Sequence, residues 1–164
     1  DTGGIGITFY SDYPNSDSYY RLRCYDAWQT LHIQPHPMSI VEIDGGVETV
    51  TTSEDPAIVE MIREHVVQME QRVESGQGLR WWDPTFAELF RHHEQIEMQI
   101  EEVPGGVRVR ETSANPEVAM LIRQHAKGVS EFVADGHARA RQATPLPEGY
   151  GETEEPESDP STQP

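Results

Sequence analysis

The side chains with the most chemical capacity in this chain are its seven histidines. His65 and His125 occupy equivalent positions in two similar stretches of the chain, and each falls on the apolar stripe of a predicted helix. Imidazole binds Zn, Cu and Fe, including haem iron, so the pair predicts a site for a transition metal or haem. The alternative is that each is a core histidine hydrogen-bonded to nearby backbone, present twice because the whole helix is present twice.

Two more candidate metal ligands, His92 and His93, lie at the end of a short predicted helix, with Glu88 one turn before His92. A site built by several facing helices is not expected around them, because residues 96–109 are predicted to form a β-hairpin. His32 is the counterpart of His92 in the other stretch. A loop-capping role is the alternative for His32.

No motif indicates catalysis. The chain contains no nucleophile elbow, no phosphate-binding loop and no HExxH motif, and Gly3-Gly4-Ile5-Gly6 lacks the third glycine of a dinucleotide fingerprint. Cys24 is the only cysteine, so neither a disulfide within the chain nor a CxxC metal or redox site can form. We therefore predict no enzymatic activity, and no cofactor apart from the alternative metal or haem.

The charge balance argues against nucleic acid as a partner. Twelve basic residues stand against 29 acidic ones, for a formal net charge of −17. Such a surface repels phosphate backbones and anionic lipids. No apolar run approaches the roughly 20 residues needed to span a bilayer, so no transmembrane segment is predicted.

The most specific pattern in the sequence is an internal repeat. With Gly45-Gly46-Val47 aligned on Gly105-Gly106-Val107, the residues that follow match in the same register without a gap. The matched pairs include Ser53 and Ser113, Pro56 and Pro116, Ile62 and Ile122, Arg63 and Arg123, and His65 and His125. The repeat predicts a tandem duplication, with copies in residues 26–80 and 81–137.

Each copy has the pattern of a β-hairpin followed by a long helix, with a short helix before the hairpin. In the second copy, apolar and polar residues alternate over 96–101, and Pro104-Gly105-Gly106 supplies the turn. The long helices are predicted to begin after the capping residues Asp55 and Asn115. Because each hairpin alone would expose an apolar face, we expect one four-stranded antiparallel sheet covered by the two long helices. The predicted fold is a pseudo-twofold α+β core in residues 26–143.

The two ends of the chain differ in composition from this core. Residues 1–25 form a tyrosine-rich arm that holds five of the six tyrosines, and Tyr and Arg are enriched where protein surfaces meet. Residues 144–164 are acidic and proline-rich without a basic residue, which predicts a tail that orders only on a partner. The alternative for the arm is an edge strand near Ile5–Tyr10 that packs on its own domain. The candidate partner-binding residues are Tyr10, Tyr13, Tyr19, Tyr20, Arg21 and Arg23.

The second copy, GGVRVRETSANPEVAMLIRQHAKGVSEFVADG at residues 105–136, resembles a group of small uncharacterised bacterial proteins, many of them taken to be exported. The resemblance covers about residues 26–150 and depends on the pattern GGVxVxxTSxxPxVxxLIRxH. It implies the tandem hairpin-plus-helix architecture and a location outside the cytoplasm. It implies no activity.

From these features we expect a non-catalytic accessory or structural subunit in the periplasm or another extracytoplasmic space, peripheral to the membrane. Its expected partners are protein subunits of a larger assembly, such as a membrane-bound respiratory or photosynthetic complex, bound through the extended ends. The competing hypothesis is a periplasmic metal- or haem-binding protein that uses His65, His125, His92 and His93. An enzyme whose site no motif reveals is a third hypothesis.

Overall fold

The computed structural model describes residues 38–135 and 137–152. In chain order these residues form two strands, two helices, a 3-10 turn, two more strands and two helices. The predicted N-terminal arm with its tyrosines and arginines lies outside the described residues, as does His32.

A four-stranded antiparallel sheet organises the fold. The strands are β1 (Met38–Ile43), β2 (Gly46–Thr52), β3 (Glu97–Val103) and β4 (Gly106–Thr112). Their order in the sheet is β1-β2-β4-β3, so each hairpin supplies one central strand and one edge strand. The hairpin turns contain Gly45 and Gly105 with φ of 74° and 73°, which glycine adopts without steric cost. The sheet predicted from the alternating pattern is confirmed.

In the described part of the chain, four helices accompany the sheet. They are α1 (Pro56–Ser75), α2 (Pro84–Arg91), α3 (Pro116–Asp135) and the short α4 (His137–Ala140), and a 3-10 turn covers His93–Gln95. The side chains of Asp55, Asp83 and Asn115 each accept a hydrogen bond from backbone N–H in the first turn of the helix that follows. Each capping residue directly precedes the proline that begins its helix, a position where proline loses no hydrogen bond within the helix. α1 stops at Gly76, whose φ of 68° supplies a left-handed cap.

The two hairpins meet along the central strands in a register with twofold character. Thr49 of β2 pairs with Val109 of β4, its counterpart in the internal repeat. Val47 pairs with Glu111, and the corresponding positions Val107 and Thr51 pair in turn. The two halves therefore share one continuous sheet.

Each long helix packs on the hairpin of the opposite half. Ile58 and Ile62 of α1 share a core cluster with Val107 of the second hairpin. Ile122 of α3 shares another with Val47 of the first hairpin. The register puts Val47 and Val107 on the same face of the sheet, so both helices cover this face. Neither long helix covers the opposite face, which we call the open face with reference to the described residues.

Two arginines at equivalent helix positions fasten this crosswise arrangement. Arg63 of α1 donates hydrogen bonds to the carbonyl oxygens of Gly106, at 3.2 Å, and Val103, at 3.1 Å, beside the turn of the second hairpin. Arg123 of α3 donates to the carbonyl oxygen of Ile43 beside the turn of the first hairpin, at 3.2 Å. Each arginine also forms an ion pair with a glutamate near the same turn, Arg63 with Glu102 of β3 and Arg123 with Glu42 of β1. Neither half is therefore complete by itself.

The chain after α4 packs against α2 and α3. Thr144 is buried, and the carbonyl oxygen of Pro145 accepts hydrogen bonds from Thr85 at 2.7 Å and Gln124 at 2.8 Å. The packed chain thus continues past residue 144, where composition predicted the start of the tail. This stretch is held by its backbone groups, which a compositional argument about apolar side chains does not register.

No helix in residues 38–135 and 137–152 combines the length and the apolar character needed to cross a bilayer. The prediction that this chain has no transmembrane segment is consistent with this finding.

Candidate functional site

His125 lies on α3 in contact with α2. Its ring meets the Phe86 ring edge-on, with centroids 4.6 Å apart and planes at 70°. Its Nδ1 atom is buried and has no hydrogen-bond partner. Burial lowers the pKa of His125 to about 4; Asp83 opposes this shift, while Arg80 and His65 add to it. His125 is therefore a neutral imidazole at neutral pH, with one ring nitrogen shielded from water.

His65 occupies the equivalent position on α1. Burial lowers its pKa to about 4, and the positive charge of Arg72 contributes in the same direction. The charge of His65 also contributes, as the smallest of the named causes, to the lowered pKa of His125. As neutral imidazoles, both are in the form that binds metal ions.

A complete ligand set does not accompany the two rings in the described chain. Within residues 38–135 and 137–152, no group of three or more histidine, cysteine, aspartate or glutamate side chains is arranged to hold a metal ion. A protein metal site commonly uses three or four ligands, and its histidines usually donate their second ring N–H to an acceptor. The neutral imidazoles of His65 and His125 are in the protonation state that binds a metal. The described part of the chain does not supply a third ligand beside them.

His92 takes part in a polar cluster at the end of α2. The Tyr150 hydroxyl lies 2.9 Å from Glu88 Oε2 and 3.3 Å from His92 Nε2, while Gln95 Nε2 lies 3.2 Å from His92 Nδ1. Arg91 pairs with the other oxygen of Glu88. Burial raises the pKa of Tyr150 to about 12, and its bond to the Glu88 carboxylate adds to the shift. Burial also acts to raise the pKa of Glu88, but hydrogen bonds from Tyr150 and Arg91 outweigh it and leave that pKa below its ordinary value.

His93 has a different partner from its neighbour. Its Nδ1 atom lies 2.7 Å from the carbonyl oxygen of Val73, in the last turn of α1. The ring also covers Gly76, where a Cβ atom would come within 2.6 Å of His93 Nε2. His93 therefore joins the 3-10 turn to the end of α1, while His92 bonds to the C-terminal segment.

A buried ion pair that the sequence analysis did not identify lies next to His125. Arg80 and Asp83 are almost fully buried and form an ion pair at 3.1 Å. Arg80 also donates to the carbonyl oxygens of Ala140, at 2.7 Å, and Gln142, at 3.3 Å. The remaining Asp83 bonds go to backbone N–H groups, including that of Thr144 at 2.9 Å. The pair connects α2 to the C-terminal segment, and these hydrogen bonds explain why a charged pair can be buried there.

Tyr150 and the Arg80–Asp83 pair were missed for different reasons. Tyr150 falls in a stretch predicted to be a tail, and the one signal in the sequence is that it is the only tyrosine outside residues 1–25. Arg80 and Asp83 stand in a connector between repeats, where charged residues are usually exposed. Their partners Ala140 and Thr144 are far along the chain, and no local pattern indicates such contacts.

The helix-covered face of the sheet carries one carboxyl group with a strongly shifted pKa. Glu111 of β4 stands between Val47 and Met98 on the neighbouring strands. Burial raises the pKa of Glu111 to about 7. The equivalent position in the first hairpin is Thr51, so this group belongs to one half only.

The open face carries more charged side chains in the second hairpin than in the first. In the second hairpin, Arg108 pairs with Glu101 at 2.8 Å, and Arg110 reaches across to Glu48 of β2 at 2.6 Å. In the first hairpin, Val41 of the edge strand is 56% exposed on this face. Val41 pairs in register with Glu48 of β2. The charge of Glu48 is neutralised by Arg110 of β4, on the side of β2 away from Val41.

Comparison with protein-family models, with curated proteins and with solved structures found no match to this chain. Of the sequence-predicted sites, the structure gives His65 and His125 equivalent positions on the two long helices, both with a lowered pKa, and gives His92 and His93 separate partners. The predicted partner-binding tyrosines and arginines of the arm lie outside the described residues.

Proposed function

We propose that this chain is a non-catalytic accessory subunit that binds partner proteins of a larger assembly. The observation that carries the proposal is the one-sided sheet: both long helices cover one face, and the open face presents Val41 at 56% exposure on an edge strand. An exposed apolar side chain on an edge strand marks a place where a partner chain can add a strand to the sheet.

Composition supports an assembly outside the cytoplasm. The formal net charge of −17 disfavours nucleic acid and anionic lipid as partners. The resemblance of residues 105–136 to exported bacterial proteins favours the periplasm, peripheral to the membrane. A membrane-bound respiratory or photosynthetic complex is an assembly of the expected kind.

The same proposal includes a tandem duplication as the origin of the core. It is supported by the identities between the two repeat copies and by the pairing of Thr49 with its counterpart Val109. The equivalent contacts of Arg63 and Arg123 with opposite hairpins support it further. An ancestral hairpin-plus-helix unit with these contacts would pair with a second copy of itself.

A deletion experiment in the native host tests the binding role. The tagged full chain should migrate on native gels with an assembly larger than a monomer. A variant without residues 1–25 and 153–164 should migrate alone while the core unfolds at the same urea concentration. The C-terminal deletion starts at residue 153 because Thr144 and Tyr150 pack on the core. Unchanged association of the shortened chain would refute binding through the ends.

Metal or haem binding is the second candidate function, favoured by the paired neutral imidazoles of His65 and His125. Protein purified from its native source should then contain a transition metal by elemental analysis or show a haem absorption band. His65→Phe and His125→Phe should each abolish the signal, whereas His93→Phe should not, since His93 bonds to the Val73 carbonyl. A colourless, metal-free protein whose unfolding ignores chelators would dismiss this candidate.

A further inference from the structure

The two edges of the sheet differ in how they are protected from strand addition. Among the described residues, β1 and β3 each have a neighbouring strand on one side only. Such an edge presents unpaired backbone N–H and C=O groups, and proteins usually guard it with charged side chains. The two edge strands occupy equivalent positions in their hairpins, so their side chains can be compared position by position.

Edge strand β3 carries the expected guards. Glu97, Gln99 and Glu101 alternate on its open face, and all three are exposed. Glu101 is also held by Arg108 at 2.8 Å. A strand that approached β3 would have to remove water from the carboxylates of Glu97 and Glu101.

Edge strand β1 carries no such guard on the open face. Val41 stands where β3 has Glu101, and Ser39 stands where β3 has Gln99. Both are exposed, and Ser39 pairs with Val50 of β2, which extends the neutral strip inward from the edge. An apolar strand docked here would cover Val41 and Ser39 without burying an unpaired charge of β1 on the open face.

Charge adds a second preference at this edge. Residues 38–52 contain no basic side chain, while Glu42 and Asp44 are exposed. Glu42 lies on the helix-covered side of β1 and keeps 75% of its side-chain surface exposed despite its contact with Arg123. A positively charged side chain opposite Glu42 would meet a carboxylate at the sheet rim.

We propose that β1 accepts an extended segment of a partner protein as a fifth strand, with apolar residues on the open face and a basic residue opposite Glu42 on the helix side. Backbone hydrogen bonds to Met38–Ile43 supply affinity, and Val41 and Glu42 select the alternating side chains. The inference rests on the proposed role as a binding subunit and names the chemistry of one partner segment.

The test uses the full chain and a fluorescently labelled peptide of alternating valine and lysine. The peptide should bind, and hydrogen exchange should slow at the backbone amides of β1 and remain unchanged at β3. A peptide of alternating valine and glutamate should not bind. Protection at β3, or binding without protection of β1, would overturn the proposal.

Matched variants separate the two edges. Val41→Glu, which copies the residue at the equivalent position of β3, should weaken peptide binding by at least about tenfold. Val41→Thr removes apolar surface without adding charge and should weaken it less, and Glu101→Gln on the other edge should not change it. Val41→Glu with unchanged affinity for the peptide refutes the proposal. If the peptide does not bind and Val41→Glu instead dissociates a dimer of the chain, the occupant is a second copy and the proposal is wrong.

The accessory role and the strand addition fail separately. If the native assembly is retained by the Val41→Glu chain and lost when residues 1–25 and 153–164 are removed, the strand addition is refuted and the accessory role stands. If the peptide binds at β1 but the full chain migrates as a monomer from its native host, the edge chemistry stands and the accessory role is refuted.

Discussion

Asp83 is a residue on which several backbone groups of the second half depend. Its carboxylate accepts hydrogen bonds from the N–H groups of Thr85, Phe86 and Thr144, and it neutralises Arg80. Removing one member of a buried ion pair leaves the other charge uncompensated in a region of low dielectric constant. Single substitutions at this pair therefore cost far more than substitutions at exposed charges.

We predict that Asp83→Ala lowers the free energy of unfolding by about 3–5 kcal/mol. Asp55→Ala is the matched control, because Asp55 caps α1 in the same way but is exposed and accepts one N–H, that of Ala57 at 2.9 Å. Its expected cost is about 1 kcal/mol. Urea unfolding of both variants checks the difference, and equal costs would contradict the structural role given to the buried pair.

Three partly buried titratable groups of the described chain contribute to the pH dependence of stability between about pH 4 and 7. The pKa of His65 and of His125 falls from 6.5 to about 4 on folding. The unfolded chain therefore binds protons there that the folded chain does not, and stability drops as pH falls below 6.5. Glu111 acts in the opposite direction: its pKa rises from 4.5 to about 7, so the folded chain keeps a proton that the unfolded chain loses.

Near pH 5 the two histidines outweigh Glu111 by about one proton, and near pH 6.5 by much less, so stability should fall on acidification with a slope that grows to about 1.4 kcal/mol per pH unit near pH 5. Glu111→Gln should steepen the slope near pH 5 to about 2.4 kcal/mol per unit, and His125→Phe should nearly flatten it. Urea unfolding at several pH values measures the slopes. A wild-type chain that becomes more stable between pH 6.5 and 5 would show that these groups do not control the profile.

At the scale of secondary-structure elements, the two long helices are held by similar but unequal contacts. Arg63 donates to two carbonyl oxygens of the second hairpin, whereas Arg123 donates to one carbonyl oxygen of the first. Hydrogen bonds from a charged donor contribute about 1.5–3 kcal/mol when partly buried. The contact of α1 with the second hairpin should thus be the stronger of the two.

We predict that Arg63→Met destabilises the fold by about 2 kcal/mol and Arg123→Met by about half as much. Methionine retains most of the aliphatic packing and removes only the donors. Urea unfolding of the two single variants decides the order. A larger loss at Arg123 would mean that the extra carbonyl contact of Arg63 adds nothing.

At the scale of the whole molecule, the C-terminal segment is part of the packed structure. A chain that ends at residue 143 loses the Asp83–Thr144 and Thr85–Pro145 hydrogen bonds and the Tyr150 hydroxyl contact with Glu88. A chain that ends at residue 152 keeps all of them. Both chains lack residues 153–164, so their difference reports on residues 144–152 alone.

We predict that the chain ending at residue 143 is less stable than the chain ending at residue 152 by about 2–4 kcal/mol, because it leaves a buried carboxylate oxygen of Asp83 without its backbone donor. Thermal unfolding of the two chains checks this difference. Tyr150→Phe in the full chain should account for about 1 kcal/mol of it, since it removes the hydroxyl contacts with Glu88 and His92 and keeps the ring. Equal midpoints for the two shortened chains would show that this segment only lies on the core surface.

Local sequence patterns were sufficient for the two hairpins, the two long helices, the helix α2 and the sheet. Alternation over residues 96–101, the glycine turns and the capped prolines predicted both hairpins and both long helices, because these features depend on neighbouring residues. The internal repeat also predicted that the halves would be alike. His65 and His125 could be named as equivalent positions for the same reason.

Tertiary structure alone decided which groups meet. Each long helix packs on the hairpin of the other half, and Arg80 and Asp83 are buried together. Tyr150, in a stretch with the composition of a disordered tail, forms a hydrogen bond with Glu88. Each of these features depends on contacts between residues that are far apart in the sequence, so local periodicity does not predict it. Each also places polar or apolar groups away from water, and a sequence does not show which of its groups will be buried. The difference between the Val41 edge and the Glu101 edge follows the same logic: the residues are visible in the sequence, but only the strand order makes them edges.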